Sequence, residues 1–102
     1  MFSRNLTNGL ARSTWGLDGL VVTDCGAVED IWLRHKFVST AAEAATAALL
    51  GGSDVECGST VKSSGATEQN EKMLRRAVER AFRVRMQLGE FDPCLLEERA
   101  LL

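Results

Sequence analysis

Four residues, Leu20-Val21-Val22-Thr23, restrict the folding options of this chain more than any others. They form an unbroken apolar and β-branched run with turn chemistry on both sides: Trp15-Gly16-Leu17-Asp18-Gly19 before it and Asp24-Cys25-Gly26 after it. Apolar character without alternation fits a strand covered on both faces, the condition of a parallel sheet. Ser53-Asp54-Val55-Glu56-Cys57, closed by Gly58, reads as a second and shorter strand. Between the two lie a connection over 27–39 and a helix. Thr40-Ala41-Ala42-Glu43 has the spacing of a capping box, the alanine-rich stretch to Leu50 favours helix, and Gly51-Gly52 stops it. Strand, connection, helix and strand make one βαβ unit, so the expected class is α/β.

The flanks add helices. Residues 5–13 fit a short one, with Leu6 and Leu10 four apart. Residues 59–67 are rich in serine, glycine and threonine and read as a loop. From 68 to 88 the pattern is helical, with an apolar stripe of Met73, Leu74, Ala77, Val78, Ala81, Phe82 and Leu88 assigned to core packing. Gly89 and Pro93 end it, and the leucine-rich tail to Leu102 reads as a frayed helix.

Charge and cysteine content remove several function classes. The net charge of −2 and a single cluster of arginines interrupted by glutamates do not make a nucleic-acid interface, which needs a basic excess to neutralise phosphates. No apolar run approaches the roughly 20 residues needed to cross a bilayer, so no membrane partner is expected. Cys25, Cys57 and Cys94 lack CxxC spacing, which argues against zinc. Cys25 and Cys57 pair if the two strand ends are neighbours, and stay reduced in an intracellular setting. Asn5-Leu6-Thr7 matches the N-glycosylation pattern; with no secretory leader ahead of it, the match is expected to be chance, and location stays open.

Asp24 stands where strand meets glycine, the position at which α/β folds place their sites. The same spacing also suits an aspartate that caps a turn. Trp15-Gly16-Leu17-Asp18-Gly19-Leu20-Val21-Val22-Thr23-Asp24-Cys25-Gly26-Ala27 resembles the nucleophile segment of family 3 glycoside hydrolases. Thr40-Ala41-Ala42-Glu43-Ala44, Gly52-Ser53-Asp54-Val55-Glu56-Cys57-Gly58, the run from Ala77 to Arg85 and Leu88-Gly89-Glu90-Phe91-Asp92-Pro93 continue the resemblance. The cysteine-glycine pairs look most like the β-xylosidase branch, then the β-glucosidases.

The resemblance implies a fragment of a (β/α)8 TIM barrel, about its last two β/α units. Residues 1–92 would be part of the N-terminal barrel domain, and 93–102 the start of a linker to a second domain. Asp24 falls on the family's catalytic nucleophile. Retaining glycosidases of this kind attack the anomeric carbon with one ionised carboxylate, while a second carboxyl about 5–5.5 Å away protonates the leaving oxygen. Trp32 and His35, on the connection after Asp24, are the substrate-binding candidates; core packing and solvent exposure are their alternatives. No cofactor is implied.

The implied parent is an O-glycosyl hydrolase acting on xylan-type substrates, with β-linked oligosaccharides or aryl glycosides as its partners. Nothing after Pro93 resembles the family's general acid, so this fragment is expected to lack turnover. The alternative is a non-catalytic interaction module that uses an exposed sheet edge and apolar face, with self-association through the open strands.

Overall fold

A computed structural model describes residues 3–65 and 70–93. It holds a π-helix over Asn5–Thr14, then α1 (Ala27–Leu33), α2 (Ala41–Leu50), α3 (Thr60–Ser63) and α4 (Glu71–Gln87). The predicted second strand and its partner are reduced to one isolated parallel bridge, between Val22 and Val55. The expected α/β class, and with it the fragment of a (β/α)8 barrel, is therefore corrected. Among the described residues the chain is helical, with no sheet.

Side chains account for the missing ladder. Val21 O accepts from Asp54 N at 2.8 Å and from Val55 N at 3.2 Å, and Thr23 N donates to Val55 O at 2.9 Å. The neighbouring donors then go elsewhere. Val21 N donates to the Asp54 carboxylate at 2.9 Å, and Cys57 N donates to the Thr23 hydroxyl at 2.9 Å. Backbone groups captured by side chains cannot extend a ladder.

The connection over 27–39 contains an unpredicted helix. Gly26, at φ 76°, turns the chain into α1, and Glu29 and Asp30 lie in its first turn where carboxylates suit the positive helix end. The capping box of α2 is formed: Glu43 N donates to Thr40 Oγ1 at 3.2 Å, and Thr40 N donates back to Glu43 Oε2 at 3.0 Å. The segment read as loop over 59–67 holds α3, whose first amides are met by Glu56. Its two carboxylate oxygens accept from Thr60 N at 2.9 Å and Val61 N at 2.8 Å.

The core is small. Val28, Ala44 and Ala48 are buried together, with Ile31, Trp32, Val38 and Val61 packed around them. Val28 is the largest fully buried side chain. α4 is joined at its start by Asn70, whose amide donates to Thr46 of α2 at 2.9 Å. The π-helix lies against Gly52. This glycine is at φ 98°, and a Cβ there would come within 2.6 Å of Asn8 Oδ1 and 2.9 Å of the Thr7 methyl. Only a residue without a side chain allows both that backbone angle and that approach.

One buried charge joins the ends of the structure. Asp54, with 1% of its side chain exposed, lies between Arg12 of the π-helix and Arg80 of α4. Arg80 donates to Oδ1 at 2.9 Å and Arg12 to Oδ2 at 2.5 Å. Arg12 also donates to Gly19 O at 2.9 Å and Gly52 O at 3.3 Å. A segment expected to be strand thus supplies the carboxylate that fixes two helices in place.

Candidate functional site

Asp24 follows the lone bridge and is exposed. Its carboxylate turns back on its own backbone, where Oδ1 accepts from Cys25 N at 2.8 Å. Asp24 O accepts from Ala27 N at 3.2 Å, closing the turn that leads into α1. The carboxylate's contact is with the amide of the next residue, and the side chain stays open to solvent.

A disulfide joins Cys25 to Cys57, with 4.4 Å between the two Cα atoms. Gly26 N donates to Cys57 O at 2.9 Å beside it. The sequence left open whether these cysteines pair; the bridged backbones bring them together.

The residues singled out for substrate lie on α1 and just beyond it. Trp32 is half-buried on the inner side of α1 and packs against the core. It also lines a notch of about 180 Å³ with Gly26, Glu29, Ala41, Ser59 and Thr60, among others. Neither Asp24 nor His35 belongs to that lining. Trp32 Nε1 is buried there without a hydrogen-bond partner. His35 is exposed beyond the end of α1, its backbone N–H held by Asp30 O at 2.8 Å. Among the described residues, no group of three or more histidine, cysteine or acidic side chains could hold a metal.

Sequence reasoning missed the Arg12–Asp54–Arg80 cluster altogether. Its members are 42 and 26 positions apart, so no local pattern links them. The one available signal was an acidic residue inside a segment read as a covered strand, where a carboxylate requires a partner.

A second feature is external. On α4 the side chains of Val78, Phe82 and Met86, spaced four apart, are 53%, 42% and 63% exposed. Phe91 stacks on Phe82 with ring centroids 6.0 Å apart, and the Arg85 guanidinium lies 5.1 Å from both rings. Glu90 receives two hydrogen bonds from Arg85, at 2.6 and 2.7 Å, which hold that guanidinium's pKa above its ordinary value. The stripe assigned to the core is thus divided: Ala77 is buried, while Val78 and Phe82 face outward.

No protein-family profile matches the chain. Curated relatives do. The chain is 38% identical to a xylan 1,4-beta-xylosidase of Xylanibacter ruminicola, over 93% of this chain and 12% of that protein. It is 41% identical to a probable exo-1,4-beta-xylosidase bxlB of Aspergillus clavatus, over 86% of this chain and 12% of that protein. A solved GH3 exo-beta-xylosidase (XlnD), in complex with a xylobiose aziridine activity-based probe, superposes with a TM-score of 0.82 at 30% identity. That match covers 90% of this chain and 13% of the other. Sequence and structure thus link the chain to GH3 xylosidases over about an eighth of their length. The likeness is one of chain path, and here that path carries one bridge in place of a sheet.

The expectations built on a barrel are corrected accordingly. A family 3 TIM-barrel fragment with a nucleophile at a strand end requires a sheet, and the described residues form none. The reading of the chain as a retaining β-glycosidase fragment, and its assignment to O-glycosyl hydrolases of the β-xylosidase or β-glucosidase type, falls with the sheet. So do the β-linked oligosaccharide and aryl glycoside partners inferred from it. Self-association through exposed strands, and an interaction module built on a sheet edge, have no strand to act through.

Proposed function

We propose that the chain acts as a non-catalytic packing segment, a disulfide-closed helical wedge whose outer α4 stripe is covered by further polypeptide. The observation that carries this reading is the outward placement of its large apolar side chains. Among the described residues thirteen of them are exposed, including Trp15, Phe37, Phe82, Met86 and Phe91, whereas Val28 is the largest side chain fully buried. Apolar side chains exposed along one helix face mark a surface meant for another surface.

Two observations describe what covers it. The relatives carry the corresponding segment in chains about eight times as long, so polypeptide is the occupant that this reading takes. The charge on α4 specifies its rim. Of the basic residues on α4, Arg80, Arg83 and Arg85 are already paired with Asp54, Asp18 and Glu90, and Arg75 with Glu71, so Lys72 and Arg76 are the cations that its rim offers. The fitting surface is apolar along Val78, Phe82 and Met86 and carries carboxylates beside them. The xylosidase activity named for the relatives belongs to those longer proteins and is not carried over.

Phe82→Glu tests this reading. In the isolated chain the change should cost about 1 kcal/mol, from the lost stacking on Phe91 and the lost contact with Arg85. In native material, where the stripe is covered, it buries an unpaired carboxylate and should lower the denaturation midpoint by an amount readily measured. Equal, small effects in both settings would count against a covered stripe.

A further inference from the structure

The chain has three asparagines, at positions 5, 8 and 70. Their surroundings differ in the way that matters for modification. Asn70 is buried, at 3% exposure, and is followed by Glu71-Lys72. Asn8 donates through Nδ2 to Leu50 O at 3.1 Å and has its Oδ1 against Gly52; Gly9-Leu10 follow it. Asn5 is exposed at the first position of the π-helix, and it alone begins an Asn-X-Thr triplet, with Leu6 in the middle. The asparagine in the acceptor pattern is thus the one whose side chain is open to solvent.

A second observation, independent of the triplet, concerns the compartment. The Cys25–Cys57 disulfide closes the loop that contains the core residues Val28, Ala44 and Ala48. Structural disulfides form and persist in oxidising settings such as the secretory route. Asn-X-Ser/Thr triplets are glycosylated on that same route, on surface segments. The expectation that the triplet is a chance match rested on reading no secretory leader ahead of it; the disulfide points instead to the oxidising route on which such triplets are used.

We infer that Asn5 is an N-glycosylation acceptor. The Asn5 amide nitrogen bonds to the anomeric carbon of a lipid-diphosphate-linked oligosaccharide. The carbon–oxygen bond to the diphosphate breaks, its electron pair leaves on that oxygen, and the amide gives up one proton. No oxidation or reduction is involved. Thr7 supplies the hydroxyl position of the triplet, and its methyl lies against Gly52 in the folded chain.

The test is peptide mass spectrometry on the chain isolated from its native cells. Cleavage after Arg4 and Arg12 releases residues 5–12. Amidase treatment in heavy-oxygen water converts a glycan-bearing asparagine to labelled aspartate. The expected result is label at Asn5 that appears only with the amidase, complete loss of the glycan in Thr7→Ala, and retention in Thr7→Ser; label at Asn8-Gly9 that appears with or without the amidase is spontaneous deamidation. An unmodified Asn5, whether Cys25 and Cys57 are oxidised or reduced, overturns the assignment. So does a glycan that survives Thr7→Ala.

Discussion

Asp54→Ala is expected to cost the chain about 3–5 kcal/mol, the range found when one partner of a buried ion pair is removed. Asp54 accepts from two guanidiniums and from Val21 N, and only 1% of its side chain is exposed. Without it Arg12, which has 10% of its side chain exposed, keeps a charge with two carbonyls and no counter-ion. Arg80, at 30%, recovers part of its solvation and contributes less to the loss. A chain of 102 residues is typically stable by about 5–15 kcal/mol, so the change consumes much of what is available. Urea denaturation followed by far-ultraviolet circular dichroism reads it directly. Replacing Arg12, Asp54 and Arg80 together by apolar residues should cost less than the single change, because no charge is then left unpaired. If the triple replacement is the more damaging, the cluster acts through something other than charge compensation.

Losing the disulfide is the second large effect. Cys25 and Cys57 are 32 positions apart, and a loop of that size stabilises by about 3–4 kcal/mol in the chain-entropy account. The consequence is sharpened by where the core lies. Val28, Ala44 and Ala48, with Ile31, Trp32 and Val38, all fall inside the closed loop, and Val61 alone of the packed set lies outside it. Cys25→Ser with Cys57→Ser, or reduction of the native bond, should therefore lower the whole transition without selecting one helix. Equilibrium denaturation with and without a dithiol measures the shift. A midpoint unmoved by reductant would mean that the hydrogen bonds of Thr23 and Gly26 to the second segment hold the core unaided.

Much of the helical structure was legible before the fold was known. Thr40 to Glu43 has the reciprocal spacing of a capping box, and a cap is a local interaction that no distant residue has to supply. The 3.6-residue pattern of α4 is equally local, though it marks an apolar face without saying what covers that face. Val78 and Phe82 were assigned to a core that the described structure does not provide. α1 was missed because Asp24-Cys25-Gly26 drew the segment after it into a functional loop. Val28, Ile31 and Trp32, at i, i+3 and i+4, carried the helical signal within it.

The strands failed for a different reason. A four-residue apolar run such as Leu20 to Thr23 is extended only by virtue of its neighbours, and short runs do not distinguish a ladder from a single bridge. At the candidate site, sequence similarity drew attention to Asp24, whose exposed carboxylate accepts from the amide of the next residue. The carboxylate with the greater structural weight, Asp54, has partners that only folding brings near it.

The most direct test of the covered stripe is carbene footprinting of α4 in the isolated chain and in native material. Val78, Phe82, Met86 and Phe91 should label strongly in the isolated chain, as their exposure requires. In native material all four should be protected together, while Asn5 stays open. Equal labelling of the four in both settings would contradict the account.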